Sequence, residues 1–304
     1  MKKVLYLGLM TNSEGFTSAF RKVCDYKQLS SGVANFNTRA CEIAIEFKPD
    51  LIFIQIQTPN IITEECVIKL KETGSFIINW TGDVRSPIPQ WYFDIGRNID
   101  LTCFSNMNDV LEFRSKGLNS EYLEIGIDPL IYTPKGDRTY TKPIVFMGNN
   151  YGEHKFPLSH YRIEMVKFLK SEFPDLFAVY GNGWGNGDGD YNSSQPNEAS
   201  VYRGAKIAIN LSHFDYDRYN SDRMLRILGS GCFCLTHRYK GIEKDYKEGE
   251  HLEAWSGFGE LKMLINKYLN EPKEAYRIAM NGCKLVHSRN TYDNMIENIL
   301  NLAK

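Results

Sequence analysis

The run Leu51-Ile52-Phe53-Ile54-Gln55-Ile56 is apolar at nearly every position and lacks the in–out alternation of a strand with one wet face. Such a strand is buried on both sides, as in parallel sheets covered by helices. Similar short runs recur at 4–9, 75–80, 100–104 and 121–125, and helical patterns at 38–47, 63–73 and 108–116 separate them. The succession restarts at 143–147. It continues through strands at 176–180, 207–211 and 232–236, with helices at 160–173, 198–204 and 221–229, and helices fill most of 258–304. This βαβ rhythm predicts an α/β protein with two Rossmann-like domains facing across a cleft. The domains are set at 1–130 and 143–285. The stretch between them holds Pro129, Pro134, Gly136 and Pro143, a linker composition. Residues 286–304 form a last helix able to cross back onto the first domain. A chain of 304 residues can bury two such cores.

Ligands of open α/β sheets bind beyond the carboxyl ends of the strands, so the loops there hold the candidates. Gly148-Asn149-Asn150 follows the first strand of the second half. A glycine there lets backbone N–H groups approach an anion, although a plain tight turn would look the same. Tyr180 leads into Gly181-Asn182-Gly183-Trp184-Gly185-Asn186-Gly187-Asp188-Gly189-Asp190. No helix opens directly behind this stretch, which departs from the dinucleotide fingerprint. It reads either as a surface loop or as a backbone surface for a nucleoside, with Trp184 as a stacking wall. Asn220-Ser221-Asp222-Arg223 opens an amphipathic helix and offers three capping residues. A helix N-terminus attracts phosphate, and Arg223 adds a permanently charged, bidentate donor. In the first half, Trp80, Asp83 and Arg85 cluster just after a strand. Asp83 is either a general base for a hydroxyl or a turn-forming residue that caps its own backbone. His213 sits in the loop after 207–211, where it can face the cleft.

Several function classes are disfavoured. Lys and Arg number 36 against 37 Asp and Glu, so no global charge draws the chain to nucleic acid or anionic membrane. The six histidines include no H-x-x-x-H or H-E-x-x-H pair, and neither G-x-S-x-G nor G-x-x-x-x-G-K-[ST] occurs. The seven cysteines include no C-x-x-C pair and read as reduced core thiols. The N-terminus lacks a signal-peptide pattern, and no apolar stretch is long enough to span a bilayer. A cytoplasmic protein without a membrane span is expected.

Three segments then acquire meaning together: Ala205–Ser212, Asn220-Ser221-Asp222-Arg223, and Leu228-Gly229-Ser230-Gly231-Cys232-Phe233-Cys234-Leu235-Thr236. In order, they resemble the donor-domain core of GT-B glycosyltransferases, closest to the "glycosyl transferases group 1" and spore-maturation-type branch. Gly249-Glu250-His251, Glu260-Leu261 and His287…Thr291-Tyr292 fit the same pattern, and Gly126-Ile127-Asp128-Pro129 with Tyr132 and Pro134 resembles the interdomain hinge. The resemblance covers residues 120–295. It implies a nucleotide-diphosphate sugar on the second domain and an acceptor on the first, with no metal or other cofactor. It places Gly148, Asn149 and Arg223 near the phosphates and the loop from Tyr180 to Trp184 near the base. Asn150, Gly181, Asn182, His213, Asn220 and Ser221 complete the expected donor site. Trp80, Asp83 and Arg85 are the expected acceptor contacts, and Asp83 and Arg223 the catalytic candidates. Many relatives carry a Glu three residues after this Arg, on the donor's ribose. Here Arg226 stands there, which leaves Glu250 as a substitute. The acceptor is left open among glycan, protein, small molecule and modified nucleic-acid base. Two alternatives stand beside transfer: a nucleotide-sugar epimerase and a non-catalytic nucleotide-sugar-binding protein.

Overall fold

The computed structural model describes residues 1–139, 142–185 and 195–303. The chain divides into two compact units, one of Met1–Gly126 with the segment from Tyr292 onward, the other of Ile127–Thr291. In the first unit, β1 (Lys3–Gly8), α1 (Glu14–Val23), β2 (Asp25–Ser30), α2 (Phe36–Phe47), β3 (Leu51–Gln55), α3 (Glu64–Glu72), β4 (Phe76–Thr81), α4 (Gln90–Gly96), β5 (Leu101–Phe104), α5 (Met107–Ser115) and β6 (Ser120–Tyr122) follow in turn. In the second come β7 (Ile144–Met147), α6 (Ser159–Glu172), β8 (Phe177–Tyr180), α7 (Gln195–Gly204), β9 (Ile207–Asn210), α8 (Asp222–Gly229), β10 (Phe233–His237), β11 (Glu253–Trp255), α9 (Phe258–Asn270) and α10 (Pro272–Arg289). The chain closes with α11 (Tyr292–Leu302), which belongs to the first unit.

The first sheet runs β2-β1-β3-β4-β5-β6 and the second β11-β10-β9-β7-β8, and every pairing is parallel. Both are doubly wound: the first strand sits between the second and third. Strand order therefore reverses between β1 and β3 in one unit and between β7 and β9 in the other. Crossovers leave the two sides of such a point in opposite directions, which opens a crevice at the carboxyl ends.

Burial on both faces explains the continuous apolar run. Ile52 and Ile54 of β3 pack into a core with α2, α3, α4 and α5. Their neighbours Leu51 and Phe53 pack on the opposite face with Phe16 and Phe20 of α1. That second face also receives Met295, Ile296 and Ile299 of α11. An ion pair from Lys22 to Asp293 (2.9 Å) and a bond from Lys2 Nζ to the Ala303 carbonyl (3.1 Å) fasten the helix at its two ends.

The units meet in sequence at Gly126 and Ile127, before the proline-rich stretch read as the linker. That stretch is tied into the second unit instead. Arg203 of α7 donates to the carbonyls of Ile131 and Thr133, and Tyr132 is buried against α8. The crossing segment starts at Tyr292 rather than 286, because α10 runs unbroken to Arg289 in the second unit.

Ile296 is fully buried where α11 completes the first core. Ile296→Ala should lower the unfolding free energy by about 2–5 kcal/mol, read from the urea midpoint.

Candidate active site

In the second unit the switch point lies between β7 and β9, and the loops leaving those strands are Gly148–Asn150 and residues 211–221. Two arginines reach it. Arg223, in the first turn of α8, is buried: Nε donates to the Met147 carbonyl and Nη1 to Leu211 O (3.2 Å), Asn210 Oδ1 (3.3 Å) and Ser221 Oγ (3.4 Å). Its Nη2 lies under Gly148, where a Cβ would come within 2.7 Å of it. Arg162 of α6 is 2% exposed and donates to Leu211 O (2.6 Å) and Asn149 O (3.3 Å). Both guanidinium groups lie against the Phe146 ring, 5.1 and 5.5 Å from its centroid. A cation over an aromatic face is stabilised by the ring's quadrupole, most of all where water is excluded. Among the described residues Arg223 forms no ion pair with a carboxylate.

Arg162 Nη1 also lies 2.6 Å from His213 Nε2. A guanidinium cannot accept a hydrogen bond, so Nε2 accepts and the imidazole proton sits on Nδ1. Burial, and then the charges of Arg162 and Arg223, push the His213 pKa down to about 2. His213 is thus a neutral ring whose Nδ1–H is buried and meets no acceptor among the described residues.

The glycine-rich loop closes over the same point. Gly148 N donates to Tyr180 O (2.9 Å), Asn150 N to Asn182 O (2.9 Å) and Asn182 N to Asn149 Oδ1 (2.9 Å). Gly181 has φ +134°, and a Cβ there would fall 2.5 Å from the Gly148 carbonyl oxygen, so only glycine fits. Trp184 donates its indole N–H to Gly148 O (2.6 Å) and meets Phe146 edge-on. It anchors the loop, and being partly buried it is less available as a stacking wall. Residues 186–190 of the glycine-rich stretch lie outside the described residues.

Asn220 is buried directly before Ser221, whose hydroxyl donates to Asn210 Oδ1 (3.1 Å) instead of capping α8. The N-terminus of α8 thus carries no side-chain cap. Gly148, Asn149, Asn150, Tyr180, Gly181, Asn182, Trp184, His213, Asn220, Ser221 and Arg223 therefore lie together on the carboxyl-end side of β7, β8 and β9. Glu250 does not: it is exposed and pairs with Lys247 and His251 of its own turn. Arg226 pairs with Glu198 (3.1 Å) and Asp222 (2.7 Å) and lies over Tyr132, while Glu198 also accepts from Tyr132 (2.9 Å) and Tyr202 (3.1 Å). The positive residue at this position is answered by a buried carboxylate from α7, which ties α7, α8 and Tyr132 together.

In the first unit Trp80 is 1% exposed in the core and donates to Leu123 O (2.9 Å). That burial removes it from the acceptor contacts. Asp83 stands on the loop after β4 with its side chain 69% exposed, 4.0 Å from Arg85. Arg85 is mostly enclosed. It donates to Thr81 Oγ1 (3.3 and 3.2 Å) and to the Gln57 carbonyl (3.0 Å), so it ties the β4 loop to the one after β3. Its backbone N–H is held by Asp109 (2.8 Å), a carboxylate whose pKa burial raises. Sequence reasoning passed over Arg162, Phe146, Asp109 and Thr81. Arg162 had a legible signal: it falls at helical spacing on the apolar stripe of Leu158, Met165, Val166 and Leu169, where a charge is anomalous.

Residues 162–301 match the family described as glycosyl transferase-like. The chain as a whole carries the two-domain GT-B fold of solved glycosyltransferases. A glycosyltransferase from Rickettsia africae aligns with a TM-score of 0.70 at 11% identity, covering 100% of this chain and 98% of that one. Sucrose-phosphate synthase from Thermosynechococcus elongatus gives 0.69 at 10% identity over 99% and 98%. HepE from Anabaena, solved with UDP and glucose, gives 0.67 at 12% identity over 99% of both chains. At these identities the likeness is one of fold. No curated protein matches the sequence. Among the described residues no three His, Cys, Asp or Glu converge as metal ligands, and no helix is long and apolar enough to cross a membrane.

His213 binds a proton far less readily folded than unfolded, where a histidine titrates near ~6.5. Between those values the unfolded chain holds the extra proton, so stability falls as pH drops below ~6.5. Burial lowers His237 and His251 in the same direction. His213→Gln should flatten the decline of melting temperature between roughly pH 7 and 4.

Proposed function

We propose that the chain is a glycosyltransferase that moves a sugar from a nucleoside-diphosphate donor to a hydroxyl acceptor without a metal ion. The second unit holds the diphosphate against Arg162, Arg223 and the uncapped N-terminus of α8. The observation that carries this reading is the placement of both buried guanidinium groups at the β7/β9 switch point. Buried charge is costly unless answered, and Arg223 meets only neutral dipoles. An anionic ligand supplies the missing charge. It also explains catalysis: as the glycosidic bond breaks, negative charge grows on the leaving diphosphate, and fixed cations in a water-poor crevice stabilise it. The neutral His213 Nδ1–H supplies a further donor whose state does not change across physiological pH.

The first unit takes the acceptor, and Asp83 is the base for its hydroxyl. The support is its position on a carboxyl-end loop, its exposure, and the anchored Arg85 beside it. Uridine donors are the first to try, because HepE was solved with UDP and with UDP-glucose. A cytoplasmic setting suits seven free thiols, six of them buried.

Arg223→Ala should lower kcat for transfer by ~10²-fold or more in a donor-consumption assay. Unchanged turnover would remove Arg223 from the mechanism. Asp83→Asn should lower kcat by about 10²-fold and leave donor affinity intact. Equal losses in kcat and donor affinity would place Asp83 at the donor instead.

A further inference from the structure

Cys41 of α2 and Cys66 of α3 stand apart from the other five cysteines: their sulfur atoms are 3.7 Å from each other. Both helices present them to an open groove of about 860 Å³ lined by Asn37, Cys41, Glu42, Thr63, Cys66 and Lys69, among others. Cys41 is partly exposed there, while Cys66 is 3% exposed and donates to the Asn37 carbonyl (3.6 Å). The pair sits where the helices are already pinned together. The Asn37 side chain donates to Ile61 O (3.1 Å) and accepts from Thr63 N (3.0 Å), and Thr63 caps α3. Both cysteines lie in the first half of their helices, next to the loops that leave β2 and β3. A disulfide bond needs sulfurs ~2 Å apart. Forming the bond requires the two side chains to close the remaining gap, with the α2–α3 contact holding the partners near each other.

We propose that Cys41 and Cys66 form a thiol–disulfide modification site for low-molecular-weight disulfides of the glutathione type. The Cys41 thiolate attacks the small disulfide through the groove. One sulfur joins Cys41 as a mixed disulfide and the other leaves as thiolate. The Cys66 sulfur, freed of its proton, then attacks Cys41 sulfur and expels the second small thiol. The products are one Cys41–Cys66 disulfide and two reduced small thiols, so the pair of electrons lost by the protein is carried away by the reagent. Burial raises the Cys66 thiol pKa, with Cys41 beside it adding to the effect. Cys66 is thus the poorer initial nucleophile, and Cys41 is the entry point. The bond would close a loop between residues 25 apart and clip α2 to α3.

The test is incubation of the full chain with oxidised glutathione, alkylation of remaining thiols, and digestion with trypsin. Lys48 precedes Pro49, so residues 40–69 stay in one peptide carrying both cysteines. The expected product is that peptide unalkylated, free of glutathione and lighter by two hydrogens, with the melting temperature raised by roughly 5–10 °C and restored by dithiothreitol. In Cys66→Ser, glutathione should remain on Cys41. Wild-type protein that retains glutathione on Cys41, or leaves both thiols open to alkylation, overturns the proposal. Because the wild-type peptide decides, the outcome does not hang on whether the variant folds.

Discussion

The second unit is organised around a buried positive charge. A guanidinium withdrawn from water loses hydration worth several kcal/mol, and the protein must replace it with dipoles, an aromatic face or a counter-ion. Arg223 has the first two: the carbonyls of Met147 and Leu211, and the Phe146 ring. Arg162 converges on the same ring and the same Leu211 carbonyl. Holding two like charges this close has consequences for every neighbour. It adds to the burial that keeps His213 neutral, leaves no room for a side chain at Gly148, and aligns the carboxyl-end loops as acceptors. The arrangement is suited to a ligand that brings two negative charges of its own.

Parallel sheets make such a site possible. Their crossovers deliver helix N-termini to the carboxyl edge, and strand reversal between β7 and β9 separates the two loops enough for a ligand to enter. The same order in the first unit puts its own reversal between β1 and β3. There Arg85 draws the Asp83 loop toward the loop after β3 through the Gln57 carbonyl. Arg226 follows a different logic. Its charge is consumed by Glu198 and Asp222, so it stiffens the base of α8 rather than facing a ligand.

Much of this was legible from the sequence, and the rest was hidden for physical reasons. Strands buried on both faces, such as β3 and β9, announced themselves by unbroken apolar runs. β2 did not: Tyr26, Lys27 and Gln28 sit on an edge strand, half exposed, and carry no such run. α1 was obscured by Gly15, Thr17 and Ser18, which weaken its local helical signal although Phe16 and Phe20 are fully buried. Loop glycines and Arg223 could be placed from strand order alone. The charge of Arg162 on an apolar helix face was legible, but its partners were not, since His213 and Leu211 lie 51 and 49 residues away. Trp80 shows the opposite failure. An aromatic at a strand end looks like a binding residue until the parity of the strand turns it into the core.

The most direct test of a diphosphate site built from protein cations is calorimetric titration of the full chain with a nucleoside diphosphate and the matching monophosphate, with a chelator present throughout. The account predicts that the diphosphate binds without metal and at least ~10-fold more tightly than the monophosphate, as one extra charge-assisted contact of about 1.5–3 kcal/mol requires. Equal affinities, or binding that appears only when a divalent cation is restored, would contradict it.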